Sequence, residues 1–202
     1  MIGLINYGLG NLSAFINAYK KLGVKISCVN KPEDIEKFDK YILPGVGSFD
    51  KAMTQLNYSG LLNDLETQVL DNKKKILGVC VGMQILGNKS EEGKLDGLGW
   101  ISGRSKIFKG ENLKVPHVGW NSISIKDKDH PLFFDLDEKS YFYFLHSYYF
   151  SASNKQNEIS LTNYKFDFCS AVSSENIFAV QFHPEKSHEN GLKILKNFND
   201  LI

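Results

Sequence analysis

Apolar positions recur at two different periods along the first half of the chain. Ile2–Asn6 reads as a short extended run, and Leu12, Phe15, Ile16 and Tyr19 then recur at helical spacing over Leu12–Lys21, with Gly23 placed as the stop. Lys25–Val29, Lys40–Leu43 and Lys75–Val79 are further β-like runs. Between the last two, Leu61, Leu62, Leu65, Val69 and Leu70 mark one apolar helix face, ending in the basic Lys73-Lys74-Lys75 that suits a solvated helix end. Strands separated by helices make βαβ units, and hence a parallel sheet with helices on both faces. The second half changes character. Trp100–Phe108, Ser122–Ile125, Tyr141–Phe150, Glu158–Thr162, Asp167–Ser173 and Ile177–Val180 all read as strands with few helices between them. Ser187–Ile202 closes the chain as a helix, with Leu192, Leu195, Phe198 and Leu201 on one face. The pattern predicts an α/β fold of three layers: a mostly parallel central sheet, flanking helices, and a smaller antiparallel portion or second sheet in the second half. No repeat, low-complexity tract or Pro/Gly/Ser linker divides the sequence, so one domain over 1–202 is expected.

The segment richest in chemistry is Gly78-Val79-Cys80-Val81-Gly82-Met83-Gln84, where an apolar strand ends at Gly-x-Cys-x-Gly and residues able to start a helix follow. This is the nucleophile-elbow pattern with cysteine in place of serine. A sharp strand-to-helix turn brings the backbone at Gly78 and Gly82 together, where a Cβ at either would clash. It presents the Cys80 sulfur at the carboxyl end of a central strand, where open α/β sheets bind ligands, and at a helix start whose partial positive charge favours thiolate. Cys28 and Cys169 lie in plain strand patterns and read as small buried hydrophobes.

A thiol nucleophile needs a base, and Val180-Gln181-Phe182-His183-Pro184-Glu185 follows another apolar strand. In an extended segment residues two apart share a face, so Glu185 is placed to orient the His183 imidazole for proton exchange with Cys80. Pro184 stiffens the link and suits a strand end. The developing oxyanion requires donors. Pro44-Gly45-Val46-Gly47 follows a third strand, so an N–H near Val46–Gly47 and the N–H of Val81 are the expected oxyanion hole.

Taken together, these motifs resemble the class I (triad) glutamine amidotransferases. Asn6-Tyr7-Gly8-Leu9-Gly10-Asn11, Pro44-Gly45-Val46-Gly47, Pro116-His117-Val118-Gly119-Trp120-Asn121 and His183-Pro184-Glu185-Lys186-Ser187 narrow the resemblance, across almost the whole chain, to the glutaminase-subunit branch of imidazole glycerol phosphate synthase. Met83, and Val46 after Pro44-Gly45, set it apart from the anthranilate and carbamoyl-phosphate relatives. The resemblance implies catalytic Cys80, His183 and Glu185, and glutamine bound near Gly47, Gln84, Ser147 and Tyr148. It implies hydrolysis of glutamine through a Cys thioester and transfer of ammonia to a cyclase subunit, a (β/α)8 barrel, which makes imidazole glycerol phosphate and aminoimidazole carboxamide ribotide for histidine biosynthesis. Ammonia in water is mostly protonated and no longer nucleophilic, and nothing in the sequence is left over for a synthase domain, so a partner chain in a heterodimer is expected. Asn11, Trp120, Asn121, Tyr141 and Lys186 are the expected partner contacts. Seven aromatics lie within Tyr141–Phe150, half of them on the face that alternation leaves for a partner. Other readings are a glutaminase feeding a sugar amidotransferase of surface-polysaccharide synthesis, a cysteine peptidase or deglycase of flavodoxin-like fold, and a non-catalytic scaffold of the same fold.

Composition narrows the classes further. Among 202 residues, 24 Lys+Arg against 23 Asp+Glu leave a net charge of +1, so no polycationic field points to nucleic acid or an anionic membrane. No run is long and apolar enough to span a bilayer, and the start carries no secretory signal pattern. Three widely spaced cysteines without a CxxC pair argue against a disulfide scaffold or a zinc site, and predict a cytoplasmic protein. His117, His130, His146 and His188 lack metal-ligand spacing, and no metal or cofactor is expected. Gly8-Leu9-Gly10 begins a dinucleotide fingerprint, but Ser13 replaces its third glycine.

Overall fold

The computed structural model describes residues 1–137 and 140–202. β1 (Ile2–Ile5) leads into α1 (Leu12–Lys21), whose start is closed by the Asn11 side chain accepting from the Ala14 N–H at 3.2 Å. Phe15, Ala18 and Tyr19 form its buried stripe, and Gly23 follows at φ +69°. Ile16, grouped with that stripe by spacing, is 37% exposed, since it sits about 100° around the helix from Phe15. β2 (Ile26–Val29) and β3 (Lys40–Leu43) match their expected runs. α2 (Phe49–Tyr58) is an element the strand-and-helix reading did not include, although Phe49, Ala52, Met53 and Leu56 are buried at helical spacing. The expected helix over Leu61–Leu70 is α3 (Leu62–Glu66) running into a π-helical turn at Thr67–Asp71. β4 (Lys75–Val79) ends at Cys80, and the short α4 (Val81–Ile85) begins at once.

Beyond it the elements are β5 (Lys89–Ser90), β6 (Gly103–Ile107), β7 (His117–Ser122), β8 (Ser124–Ile125), β9 (Tyr141–His146), β10 (Tyr148–Ala152), β11 (Glu158–Asn163), β12 (Asp167–Ser174), β13 (Ile177–Val180) and α5 (His188–Asp200). Two expectations are corrected here. Tyr141–Phe150 is not one strand but two, β9 and β10, which break at Ser147 and join different sheets. The alternation keeps its phase across the break, with Phe142, Phe144 and His146 and then Phe150 and Ala152 buried, so the pattern gives no sign of it. In α5 the buried positions are Gly191, Ile194, Leu195, Asn197 and Phe198, whereas Leu201 lies at the frayed end and is exposed.

The central sheet has the order β2-β1-β3-β4-β13-β12-β11-β8. The strands from β2 to β13 run parallel, and β12, β11 and β8 continue antiparallel. A three-stranded sheet (β10-β6-β5) and the β7–β9 ribbon supply the additional sheet structure. Helices flank the central sheet, and Tyr19 Oη donates to the Leu195 carbonyl at 3.1 Å to tie α1 to α5. For function, the decisive feature is that β1, β3, β4 and β13 are consecutive parallel neighbours. Their carboxyl ends, and the loops leaving them, therefore share one edge.

Candidate active site

Four loops meet on that edge. β4 and β13 pair with Val79 opposite Val180, and the Cys80 N–H donates to the Val180 carbonyl at 2.9 Å, so the chains carrying Cys80 and His183 leave the sheet side by side. Cys80 has φ +56° and ψ −111°, a strained conformation for a residue with a Cβ, and one that aims a nucleophile out of a strand-to-helix turn. The neighbouring glycines permit it. A Cβ on Gly78 would lie 2.8 Å from the Gly82 carbonyl oxygen, and one on Gly82 would collide with the Leu43 carbonyl. Gly45 is equally confined, because a Cβ there would strike the Gly82 nitrogen. The elbow and the loop after β3 are thus in backbone contact.

The His183 imidazole and the Cys80 sulfur face the same cavity close enough to interact electrostatically, the sulfur lying 3.8 Å from the Leu145 carbonyl. His183 Nδ1 lies 2.9 Å from Glu185 Oε1. Both triad side chains beside the sulfur are 2% exposed. Burial pushes the imidazole pKa down, but the sulfur and the Glu185 carboxylate outweigh it, leaving His183 raised to about 10. An imidazolium next to a sulfur is the arrangement that favours a thiolate nucleophile. Glu185 does not continue the extended segment expected for it. Pro184–Lys186 forms a 3₁₀ turn, because proline's fixed φ favours the first helical position, and the turn still brings the carboxylate onto the ring. Glu185 Oε2 is buried with no partner among the described residues. The His183 backbone is clamped from outside: its N–H donates to the Tyr143 carbonyl at 2.9 Å and its carbonyl accepts from Ser187 Oγ at 2.6 Å.

Cys80 and His183 front a cavity of about 270 Å³, lined also by Val46, Gly47, Val81, Gln84, Ser147, Tyr148 and Lys186. Its size falls just below the ~300–1,000 Å³ of sites for drug-sized ligands, which suits a free amino acid. All the residues expected for the oxyanion hole and for substrate are therefore on its wall. Among the described residues no group accepts from the N–H of Val46, Gly47 or Val81, which leaves these donors available to a ligand. Gln84 Nε2 donates to the Tyr148 carbonyl at 2.9 Å and to Gln181 Oε1 at 3.1 Å, and Gln181 Nε2 lies 3.8 Å from the Cys80 sulfur.

Several site residues were not expected from the sequence. Glu92 brings a carboxylate to the cavity wall, where burial raises its pKa. It accepts from the Phe49 N–H at 2.7 Å, and Asp50, one residue on, accepts from the N–H groups of Lys94 at 2.9 Å and Leu95 at 3.1 Å. The loop carrying Glu92 and the start of α2 therefore clamp each other. Tyr7 Oη donates to the Pro44 carbonyl at 2.6 Å and fixes the loop after β3 from below. His146 also lines the cavity and pairs with His117, 3.1 Å between ring nitrogens. Neither loop contact nor ring pairing has a local sequence signal.

The expected partner contacts divide. Trp120 and Tyr141 are exposed on the outer face of the β7–β9 ribbon, with Trp120 stacked on His188 at 5.0 Å. Lys186 reaches over the Tyr143 ring at the cavity mouth. Asn11 is exposed but serves as the α1 cap. Asn121 departs from expectation: strand alternation turns its side chain inward, onto His117 at 3.3 Å and the Asn163 carbonyl at 2.9 Å.

His117 and His146 carry a stability consequence. Burial holds them at about 4 and about 3, below the ordinary value near 6.5. The unfolded chain therefore takes up protons below about pH 6.5 that the folded chain refuses, and stability falls as pH drops through that window by about 1.4 kcal/mol per unit and ring. His183 has the opposite sign, its contribution being lost only as pH rises through about 10. Urea unfolding is expected to show a midpoint clearly lower at pH 5 than at pH 7, and equal midpoints would contradict the neutral, buried assignment.

A strained cysteine elbow, an imidazole oriented by a carboxylate, and free N–H groups over a small cavity define a thiol amidohydrolase site. The chain belongs to the class-I glutamine amidotransferases, whose family profile matches residues 3–201. Two curated relatives carry the particular name: it is 45% identical over 205 residues, all of both chains, to "Imidazole glycerol phosphate synthase subunit HisH" of Leptospira borgpetersenii. It is 48% identical over 201 residues, 98% of each chain, to "Imidazole glycerol phosphate synthase subunit HisH 2" of Methanococcus maripaludis. Among solved structures, PurLQS from Thermotoga maritima matches with a TM-score of 0.77 over 99% of this chain and 97% of that one, at 17% identity, a likeness of fold. Among the described residues no helix is long and apolar enough to cross a membrane, and no group of three His, Cys, Asp or Glu side chains could hold a metal ion.

Proposed function

We propose that this chain, acting as one domain over residues 1–202, is the glutaminase subunit of an imidazole glycerol phosphate synthase, working in the cytoplasm with a cyclase subunit. The observation that carries the reading is the pairing of Cys80 and His183 at the ends of adjacent parallel strands, over a cavity of amino-acid size. The full-length relatives named as subunits of that synthase favour it over a sugar amidotransferase partner. The intact triad favours it over a scaffold.

Cys80 attacks as thiolate on the side-chain amide carbon of glutamine, forming the S–C bond while the carbonyl electrons move to oxygen. The N–H groups of Val46 or Gly47 and of Val81 receive that charge. Collapse of the tetrahedral adduct breaks the C–N bond, and the His183 imidazolium gives its proton to the departing nitrogen, which leaves as ammonia. His183, now neutral, takes a proton from water as its oxygen attacks the γ-glutamyl thioester. The C–S bond breaks, glutamate departs, and thiolate and imidazolium are restored. Glu185 holds the ring with Nε2 toward the sulfur throughout. Glu92 faces the cavity as the counter-charge for the substrate's α-ammonium group. Glu92→Gln is expected to raise the KM for glutamine about tenfold to a hundredfold, the range of one charge-assisted hydrogen bond, with a smaller change in kcat. An unchanged KM would remove Glu92 from this role.

The partner surface is the outer face of the β7–β9 ribbon, where Val118, Trp120, Tyr141 and Leu145 are between 42% and 54% exposed beside the cavity mouth. Assays of glutamate release with and without the cyclase subunit and its nucleotide ligand test the function. Low activity alone and a rise in the complex are expected, and full activity of the lone chain would contradict a partner-coupled glutaminase.

A further inference from the structure

The three polar contacts around His117 and His146 admit one proton arrangement. His146 Nδ1 lies 2.8 Å from the Tyr148 carbonyl, which can only accept, so Nδ1 carries the proton and Nε2 is bare. Bare Nε2 of His146 faces His117 Nδ1 at 3.1 Å, which must therefore be the donor. That leaves His117 Nε2 bare, and the Asn121 amide, which has only donors at Nδ2, points to it at 3.3 Å. Hydrogen bonds thus run in one direction from Asn121 through both rings to the Tyr148 carbonyl, where Gln84 Nε2 also ends at 2.9 Å. Packing holds the His117 ring in this orientation. His117 is stacked between Phe144 and Tyr164, with centroids 4.9 and 4.0 Å away, and both histidines are buried.

The two ends of this chain are the two places the function needs connected. One is the Ser147–Tyr148 wall of the cavity with Gln84; the other is β7, whose outer face carries Val118 and Trp120. The mechanism uses neither imidazole as acid or base, and a phenylalanine pair would pack the same space without two buried polar groups to satisfy. We propose that His117 and His146 are positioning residues, a one-directional hydrogen-bond relay that holds the Tyr148–Gln84 wall of the substrate cavity and fastens it to the strand of the docking ribbon. This rests on the glutaminase reading for its kinetic consequences, but not for its proton arrangement.

Two measurements test it. Nitrogen chemical shifts of the isotope-labelled chain at pH 7 are expected to show both rings neutral with the proton on Nδ1. Either ring protonated on Nε2, or doubly protonated, overturns the relay whatever the protein catalyses. In the complex with its cyclase, His117→Phe keeps the aromatic packing and removes both hydrogen bonds, and is expected to raise the KM for glutamine about tenfold with kcat within about threefold. His117→Asn, which sets an amide donor where Nδ1 stood, should return KM to within about threefold of wild type, while His117→Gln, whose amide falls near Nε2, should not. The Asn and Gln pair keeps the comparison if the phenylalanine variant does not fold. Equal KM values across the variants and wild type overturn the proposal. A wild-type complex that hydrolyses no glutamine fails the glutaminase reading instead, and the spectra then decide the relay alone.

Discussion

Cys80→Ser is expected to lower glutamine hydrolysis by about four orders of magnitude while leaving the fold intact. Serine keeps the backbone at φ +56° and adds no volume between Gly78 and Gly82, so the elbow and its contact with the loop after β3 persist. What changes is the nucleophile. The site is arranged around a thiol, by nature a stronger acid and better nucleophile than a hydroxyl, with a buried imidazolium beside it. A hydroxyl is a far weaker acid, and without the sulfur the imidazole loses the main partner that keeps it charged, so the thiolate–imidazolium pair cannot form in the variant. Steady-state glutamate release with a thermal-unfolding control checks this. Activity above one hundredth of wild type in a folded Cys80→Ser protein would remove Cys80 from the chemistry.

His183→Ala should cost about three orders of magnitude or more, and should do so through two separable effects. Without the imidazolium, the sulfur loses its neighbouring positive charge, so alkylation of Cys80 by iodoacetamide near neutral pH should slow. Without the proton on Nε2, the departing nitrogen has no donor even when a thioester can form. Wild-type activity should fall as pH rises through about 10, where the imidazolium is lost. Glu185→Gln leaves a hydrogen-bonding group 2.9 Å from Nδ1 but allows the wrong tautomer, and a loss of about a hundredfold or more is expected. The Cys80→Ser, His183→Ala double variant should be no slower than the worse single one, because the two groups act as a unit. Additive losses, or unchanged alkylation in His183→Ala, would contradict the thiolate–imidazolium account.

The parallel half of the fold was legible because each strand is a short apolar run and α1 carries a clear stripe. β3, β4 and β13 fall on the residues expected for them. The elbow was legible for a different reason: steric confinement at Gly78 and Gly82 restricts the residue type, and that restriction is written locally. The remainder depends on contacts between distant segments. β7 contains Gly119 and Asn121 and is a strand because β9 pairs with it along six residues. The break at Ser147 leaves alternation in phase, so only the switch of partner from β7 to β6 reveals it. Glu92 reaches the cavity because Asp50 folds its loop, and His117 meets His146 across the ribbon. Asn121 shows the limit from the other side. A polar residue beside an exposed tryptophan reads as a surface contact, yet the period of the strand turns it inward onto the histidine pair.

The central claim is that Cys80, activated by His183, carries the γ-glutamyl group. Acid quenching of the complex during glutamine turnover, followed by intact-mass and peptide analysis, tests it most directly. The account predicts a mass increase of one γ-glutamyl group on the peptide containing Cys80, removed by hydroxylamine and absent from Cys80→Ser. Turnover with no adduct under conditions that preserve thioesters, or an adduct on another residue, would contradict it.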